Sequence, residues 1–305
     1  SLFQKYNIYI TGSNAKMLSR EIATTLGGRF WNKDVYPYSF AEYLNARDII
    51  LSKNWMYGKQ AAEVSKAFND YFLYGGFPEL TDVIAKRVWL NDIYSKIFFS
   101  DLIVRNKVRN EEALGLLVRR LAENVKQPVS YTRLANLISS IGIKISKATV
   151  IEFIRYLKES CLIFPIENYA AKFAERNSNM KHYFIDNGLL SIFLLDGNTS
   201  LLENIVAIHL YKRYGAQLYF YNQNIEVDFV IPEAKTAIQV SYSLMDETTC
   251  RREVEGLIKL NRVFPMDNMC IITRDEERII THESGVSIHV IPVWKWLLEE
   301  EPLRT

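Results

Sequence analysis

A chain of 305 residues has room for about two or three domains, and 49% hydrophobic with 24% charged residues excludes disordered, collagen-like and coiled-coil classes. The net charge of +2 gives no whole-chain attraction to nucleic acid or to an anionic membrane, so any such affinity must be local. Cys161, Cys250 and Cys270 are far apart and odd in number, which argues against a disulfide framework and for a reducing cytoplasm. No apolar run reaches the roughly 18 residues needed to cross a bilayer, and the N-terminus lacks the plan of a secretion signal.

In chain order, Asn7-Ile8-Tyr9-Ile10 reads as a strand that ends in the polar loop Thr11-Gly12-Ser13-Asn14. Lys16 to Leu26 then carries helical spacing, and Gly27-Gly28 stops it. Ser39-Phe40-Ala41-Glu42 is a capping box opening a second helix. Helical patterns over 61–73 and 82–99 flank the break Tyr74-Gly75-Gly76-Phe77-Pro78, whose amides could bind an anion or form a plain turn.

Charge is segregated: residues 96–160 hold 12 Lys and Arg against 6 Asp and Glu. This basic stretch has helical patterns over 111–125, 131–139 and 147–159, followed by the strand-like Cys161–Ile166. Three short helices and a β ribbon are the plan of a winged helix-turn-helix. Arg133, Lys144, Lys147, Arg155 and Lys158 are the candidate phosphate contacts, against a reading in which the unit serves packing or protein contacts only. Beyond it, strands over 181–186, 218–221, 227–231, 237–242, 269–272 and 288–291 alternate with helices over 201–214, 247–260 and 294–299, an α/β plan.

No GxxxxGK[ST] phosphate loop is present; Gly12-Ser13-Asn14-Ala15-Lys16 lacks the second glycine and the spacing. The runs YITGSNAKMLSREIATTLGGRF, VYPYSFAEYL and YFLYGGFPEL nevertheless closely resemble bacterial and archaeal AAA-type ATPases that carry a C-terminal domain of once-unknown function. The resemblance spans nearly the whole chain. It implies that Thr11, Ser13 and Asn14 form the γ-phosphate sensor tip, with Arg29 a phosphate-facing or inter-subunit arginine. It also implies ATP and Mg²⁺ as family cofactors. Walker A and Walker B would lie upstream of Ser1, so the full-length protein is expected to hydrolyse ATP and this chain alone is not, nor to bind ATP tightly. A descendant that has lost the catalytic half is the alternative.

The sharper chemistry lies near the end. Glu203 on a helix, Asp228 in the strand Glu226-Val227-Asp228 and the pair Gln239-Val240-Ser241 on the next strand look like a PD-(D/E)XK nuclease core. There, two carboxylates would hold Mg²⁺ or Mn²⁺, which lowers the pKa of an attacking water. Gln239 brings no charge, Ser241 stands where the lysine is expected, Glu226 is a third acid expected on the opposite strand face, and Lys235 is a stand-in cation from a loop. Metal affinity should be weak. His182, His209, His282 and His289 have no paired ligand spacing.

The expected architecture is multidomain α/β: residues 1–95 the C-terminal part of an AAA-type ATPase domain, 96–175 a winged-helix-like domain, and 176–305 a restriction-endonuclease-like domain. The expected function is a nucleotide-sensing portion of an ATPase that acts on DNA or on a protein partner. The alternatives are a metal-dependent DNA nuclease and a non-enzymatic binding scaffold. A cytoplasmic location, no membrane contact and an open question of homo-oligomerisation complete the reading.

Overall fold

The computed structural model describes residues 33–172 and 178–299, together with 9, 31 and 176. The strand and loop at 7–14, the helix at 16–26 and the sensor candidates Thr11, Ser13, Asn14 and Arg29 lie outside the described residues.

Helix α1, Phe40–Ala46, starts at the expected capping box: the Ser39 hydroxyl accepts from Glu42 N–H, and the Glu42 carboxylate accepts from Ser39 N–H at 2.7 Å. Helix α2, Lys59–Tyr74, buries Val64, Ala67, Phe68, Tyr71 and Phe72, an i, i+3, i+4, i+7, i+8 stripe that packs on α1 through Phe40 and Tyr43. Helix α3, Lys86–Lys96, does not stop at Phe99 as the periodicity suggests but passes into a π-helical stretch, Ile97–Val104. The apolar run Ile97-Phe98-Phe99 hides that change of pitch, because i→i+5 bonding leaves no mark in composition.

Helices α4 (Glu111–Glu123), α5 (Tyr131–Ser139) and α6 (Lys147–Glu159) fall where the spacing places them, α5 and α6 capped by the Ser130 and Ser146 hydroxyls. The two-residue strand β1 (Val129–Ser130) separates α4 from α5, and strands β2 (Ile163–Asn168) and β3 (Asn179–Phe184) follow α6. The three strands pair in the order β1-β3-β2, all antiparallel.

The rest of the chain builds on that ribbon. A short helix α7 (Asn187–Ser191) leads to the long helix α8 (Asn198–Tyr214), then strands β4 (Tyr219–Asn222), β5 (Glu226–Ile231) and β6 (Thr236–Val240). Helix α9 (Glu247–Val263), β7 (Asn268–Thr273), β8 (Arg278–Thr281), β9 (Ser287–Pro292) and α10 (Val293–Trp296) complete it. Strand β2 pairs in parallel with β4, so one nine-stranded mixed sheet runs β1-β3-β2-β4-β5-β6-β7-β9-β8. The protein is thus a mixed α/β molecule with one buried apolar cluster extending from Phe40 on α1 to Leu297 beyond α10, and a second between α9 and the far half of the sheet.

Two buried polar seams tie the helical part to the sheet. Asn204 on α8 accepts from Phe184 N–H at 2.8 Å and donates to Asn187, whose own amide donates to Phe72 and Leu201 carbonyls, both at 3.0 Å. At the Gly75-Gly76 turn, the buried carboxylate of Asp186 accepts from Gly76 N–H at 2.7 Å and from Gly188 and Leu189 N–H at the start of α7. The anion that this turn could take is therefore one the chain itself supplies, at the Gly76 N–H, while the Gly75 N–H donates to the Tyr71 carbonyl. Gly75 has φ +79, and a Cβ there would lie 2.0 Å from the Asp186 carboxylate, so no other residue fits.

Candidate functional site: a buried cluster of acids and one lysine

Helix α8 and strands β3, β5 and β6 converge on one cluster. Side chains of α8, β5 and β6 border a cleft of about 710 Å³ whose far wall is α9. Glu203 comes from the inner face of α8, 4% exposed. Asp228 comes from the middle of β5, Gln239 and Ser241 from β6 and the residue after it. The structure thus brings Glu203, Asp228, Gln239 and Ser241 together. Glu226 joins them, which corrects its expected place on the opposite strand face: residues two apart in a strand project to the same side.

The residue that motif and spacing do not single out is Lys181. It stands on β3, fully buried, with Nζ 3.2 Å from Glu203 Oε1, 3.0 Å from Asp228 Oδ1 and 3.6 Å from Glu226 Oε1. Burial works against its charge, but the three carboxylates outweigh burial and hold the ammonium pKa above its ordinary value. Tyr183, two residues on and on the same face, donates its hydroxyl to Glu203 Oε1 at 2.7 Å. Lysine is rare in a strand with every neighbour buried, and the run Met180-Lys181-His182-Tyr183-Phe184 is the signal that could have drawn attention to it. Lys235, the expected stand-in cation, is instead 60% exposed in the β5–β6 turn and faces Asp267 at 3.5 Å.

Gln239 does not face an ion. Its carbonyl accepts from Asp228 N–H at 2.9 Å and its amide donates to the Glu226 carbonyl at 3.1 Å, closing the β5–β6 ladder with a side chain. A glutamate there could accept the first bond and not supply the second. Gly256 of α9 leaves the room: a Cβ would lie 3.0 Å from Gln239 Nε2. Gln239→Glu is expected to lose about 1–3 kcal/mol in chemical denaturation, since it leaves the Glu226 carbonyl unpaired beside a new charge. Ser241 donates its hydroxyl to the Ser243 carbonyl at 3.0 Å.

The acids do not fit a divalent ion as they stand. Asp228 Oδ1 takes Lys181, Asp228 Oδ2 takes Val240 N–H at 3.0 Å, and Glu203 Oε1 takes both Lys181 and Tyr183. Magnesium needs oxygens at about 2.0–2.1 Å in a near-octahedral set, and an ammonium already occupies the space between these carboxylates. Among the described residues no group of three or more His, Cys, Asp or Glu is arranged to hold a metal. His182 is buried and His209 partly so, and desolvation pushes both imidazoles down to about 4. All three cysteines are free.

Burial raises the Glu203 carboxyl to about 7; Lys181 pulls the other way and Asp228 adds to the rise. A carboxyl whose folded pKa lies above its unfolded value stabilises the fold at low pH and loses that contribution as pH rises through the folded value. The stability of wild type relative to Glu203→Gln should therefore fall as pH rises from about 4.5 to 7, by a few kcal/mol, in paired urea titrations. A pH-independent difference would place the proton elsewhere.

The cleft also carries Lys126, Arg252 and Lys259 against Glu253 and Glu255. Arg252 is bonded to Glu253 at 2.6 Å, and burial raises the Glu253 pKa. Counting Lys181, cations and carboxylates nearly balance, so the cleft itself does not attract a polyanion. The five basic candidates of the middle segment are elsewhere: Arg133 on α5, Lys144 in the following loop, and Lys147, Arg155 and Lys158 on α6, all at the surface. Arg155 lies 3.9 Å from Glu152 and over the Tyr156 ring.

The class that these features define is a mixed α/β protein with a buried acid–lysine cluster beside an open cleft. Residues 2–44 match the AAA domain family, and residues 65–200 match a domain of unknown function (DUF8612). An uncharacterised protein of Methanocaldococcus jannaschii is 32% identical over 96% of this chain and 69% of its own length. An uncharacterised protein of Haemophilus influenzae is 31% identical over 96% of this chain and 71% of its own length. The chain belongs to the family of these two proteins. A second uncharacterised M. jannaschii protein is 23% identical over 76% of this chain. No solved structure matches the chain. No helix among the described residues is long and apolar enough to cross a membrane.

Proposed function

We propose that this chain is the sensor-bearing and downstream portion of an AAA-type ATPase that engages DNA, with a nuclease-like tail that has kept its fold but not hydrolysis. The match of residues 2–44 to the AAA domain family carries the ATPase half. In this reading Thr11, Ser13 and Asn14 sense the γ-phosphate, Arg29 faces phosphate or a neighbouring subunit, and ATP with Mg²⁺ binds mainly to segments outside this chain. The direct test is the native gene upstream of the Leu2 codon: a phosphate-loop GxxxxGK[ST] and an acidic strand in frame are expected, and a start codon immediately ahead of Leu2 overturns the ATPase reading.

The order α4-β1-α5-α6-β2 supports a winged helix for residues 96–175, its ribbon completed by β3 just beyond that span, and in this reading α6 is the recognition helix. Duplex DNA binding through Arg133, Lys144, Lys147, Arg155 and Lys158 should weaken with salt, each phosphate contact adding roughly 0.9 to the log–log slope. Lys147→Ala with Arg155→Ala should flatten that slope by roughly two contacts and weaken binding evenly across sequences. Absent or salt-insensitive binding points to a protein partner instead.

The order α8-β4-β5-β6-α9-β7, with acids on α8 and β5, supports the PD-(D/E)XK-like reading of residues 176–305. Lys181 among those acids and Ser241 spent on a local carbonyl favour recognition over cleavage.

A further inference from the structure

We infer that Lys181 is a permanent intramolecular substitute for a metal ion: its ammonium neutralises Glu203, Asp228 and Glu226, and excludes divalent cations from the cluster. The inference rests on the nuclease-like reading of residues 176–305 and adds what regulates that site.

Three observations carry it. The ammonium lies at 3.0 and 3.2 Å from two carboxylates on different elements and 3.6 Å from a third, the middle of the group rather than its rim. Its side chain is wholly shielded from solvent, so it cannot swing into the cleft to orient a water, as a catalytic lysine must. The remaining donors are fixed in the same sense. Val240 N–H holds Asp228 Oδ2, Tyr183 holds Glu203 Oε1, and Gln239 turns its neutral amide to the β5 backbone instead of to an ion. A buried acid cluster needs a compensating cation to fold at neutral pH. This chain carries that cation covalently, on β3, which precedes the α8-β4-β5-β6 unit that bears the acids.

A fixed ammonium differs from a bound ion in one testable respect: it cannot be chelated or exchanged. The wild-type melting temperature should be the same with EDTA and with millimolar Mn²⁺. Removing the ammonium while keeping the acids should open a cation site that wild type lacks.

The experiment is Mn²⁺ titration of wild type, Lys181→Met and Lys181→Met/Glu226→Gln, read by the electron paramagnetic resonance signal of free Mn²⁺ and by thermal melting, with a plasmid cleavage assay alongside. The double variant sheds one of the exposed charges, so a folded protein remains available if Lys181→Met fails to fold without metal. The expected result is no Mn²⁺ uptake by wild type, uptake at least about tenfold tighter by a Lys181 variant, and Mn²⁺-dependent melting of that variant only. Variants that take up no more Mn²⁺ than wild type overturn the inference and leave the proposed function standing. Mn²⁺ uptake by wild type without cleavage does the same. Wild-type cleavage that needs Mn²⁺ and is lost in Lys181→Met makes Lys181 catalytic and overturns both.

Discussion

Replacing Asp186 by alanine, at the junction of helices and sheet, is expected to lower global stability by about 3–5 kcal/mol. Its carboxylate accepts three backbone N–H groups, from Gly76, Gly188 and Leu189, all at buried positions. Each donor left unpaired costs about 1–3 kcal/mol. The turn cannot relax around the loss. Gly76 packs with no room for a Cβ, which would lie 2.3 Å from the Tyr38 carbonyl, and that carbonyl accepts from the Tyr71 hydroxyl. Asp186→Asn should lose less, because one amide oxygen can still cap α7 while its nitrogen faces the Gly76 N–H. Urea unfolding of the two variants checks the order; equal and small losses would show that the Gly75-Gly76 turn is held by packing alone.

The second large effect is at Lys181. Taking one partner from a buried ion pair costs about 3–5 kcal/mol, since the other charge is left uncompensated. Here Glu203 and Asp228 would remain together, with Glu226 nearby. The pH dependence separates this from a packing defect. Without the ammonium the carboxyls hold protons more tightly in the folded state than in the unfolded chain, so their contribution is present at low pH and lost as pH rises. Lys181→Met should therefore be close to wild type near pH 5 and far less stable near pH 8, in urea titrations at each pH. A deficit of the same size at both would assign the loss to the aliphatic stem of the lysine, not to its charge.

Helices α4, α5 and α6 are legible because polar caps, Asn110, Ser130 and Ser146, agree with the helical spacing there, and Val150, Ile154 and Leu157 form part of the buried stripe of α6. The acids Glu203 and Asp228 were legible as a pair from their places on a helix and the strand after next. What the spacing could not give was the partner. Lys181 precedes Glu203 by 22 residues and Asp228 by 47, and no local period relates positions on β3 to β5 when β2 and β4 lie between them in the sheet. The β-rich spacing starts at Lys181, which puts the lysine at a strand end, whereas β3 begins at Asn179 and pairs with both β1 and β2, which puts it inside. Helix α7 escaped notice because five residues are too few for a period; its start is fixed by the Asp186 cap instead.

The parallel between the two hubs is physical. At Gly75-Gly76 the chain supplies its own anion to a backbone turn, and at the acid cluster it supplies its own cation. Both positions in an open site would recruit a ligand from solution, and both are closed here by a side chain distant in sequence.

Loss of hydrolysis at the acid cluster is checked by incubating the purified chain with supercoiled plasmid and Mn²⁺ across a millimolar range. Intact plasmid is expected at every concentration, in the wild type as in Asp228→Ala. Nicking or linearisation by wild type that disappears in a folded Asp228→Ala variant would contradict it and make the tail a working nuclease.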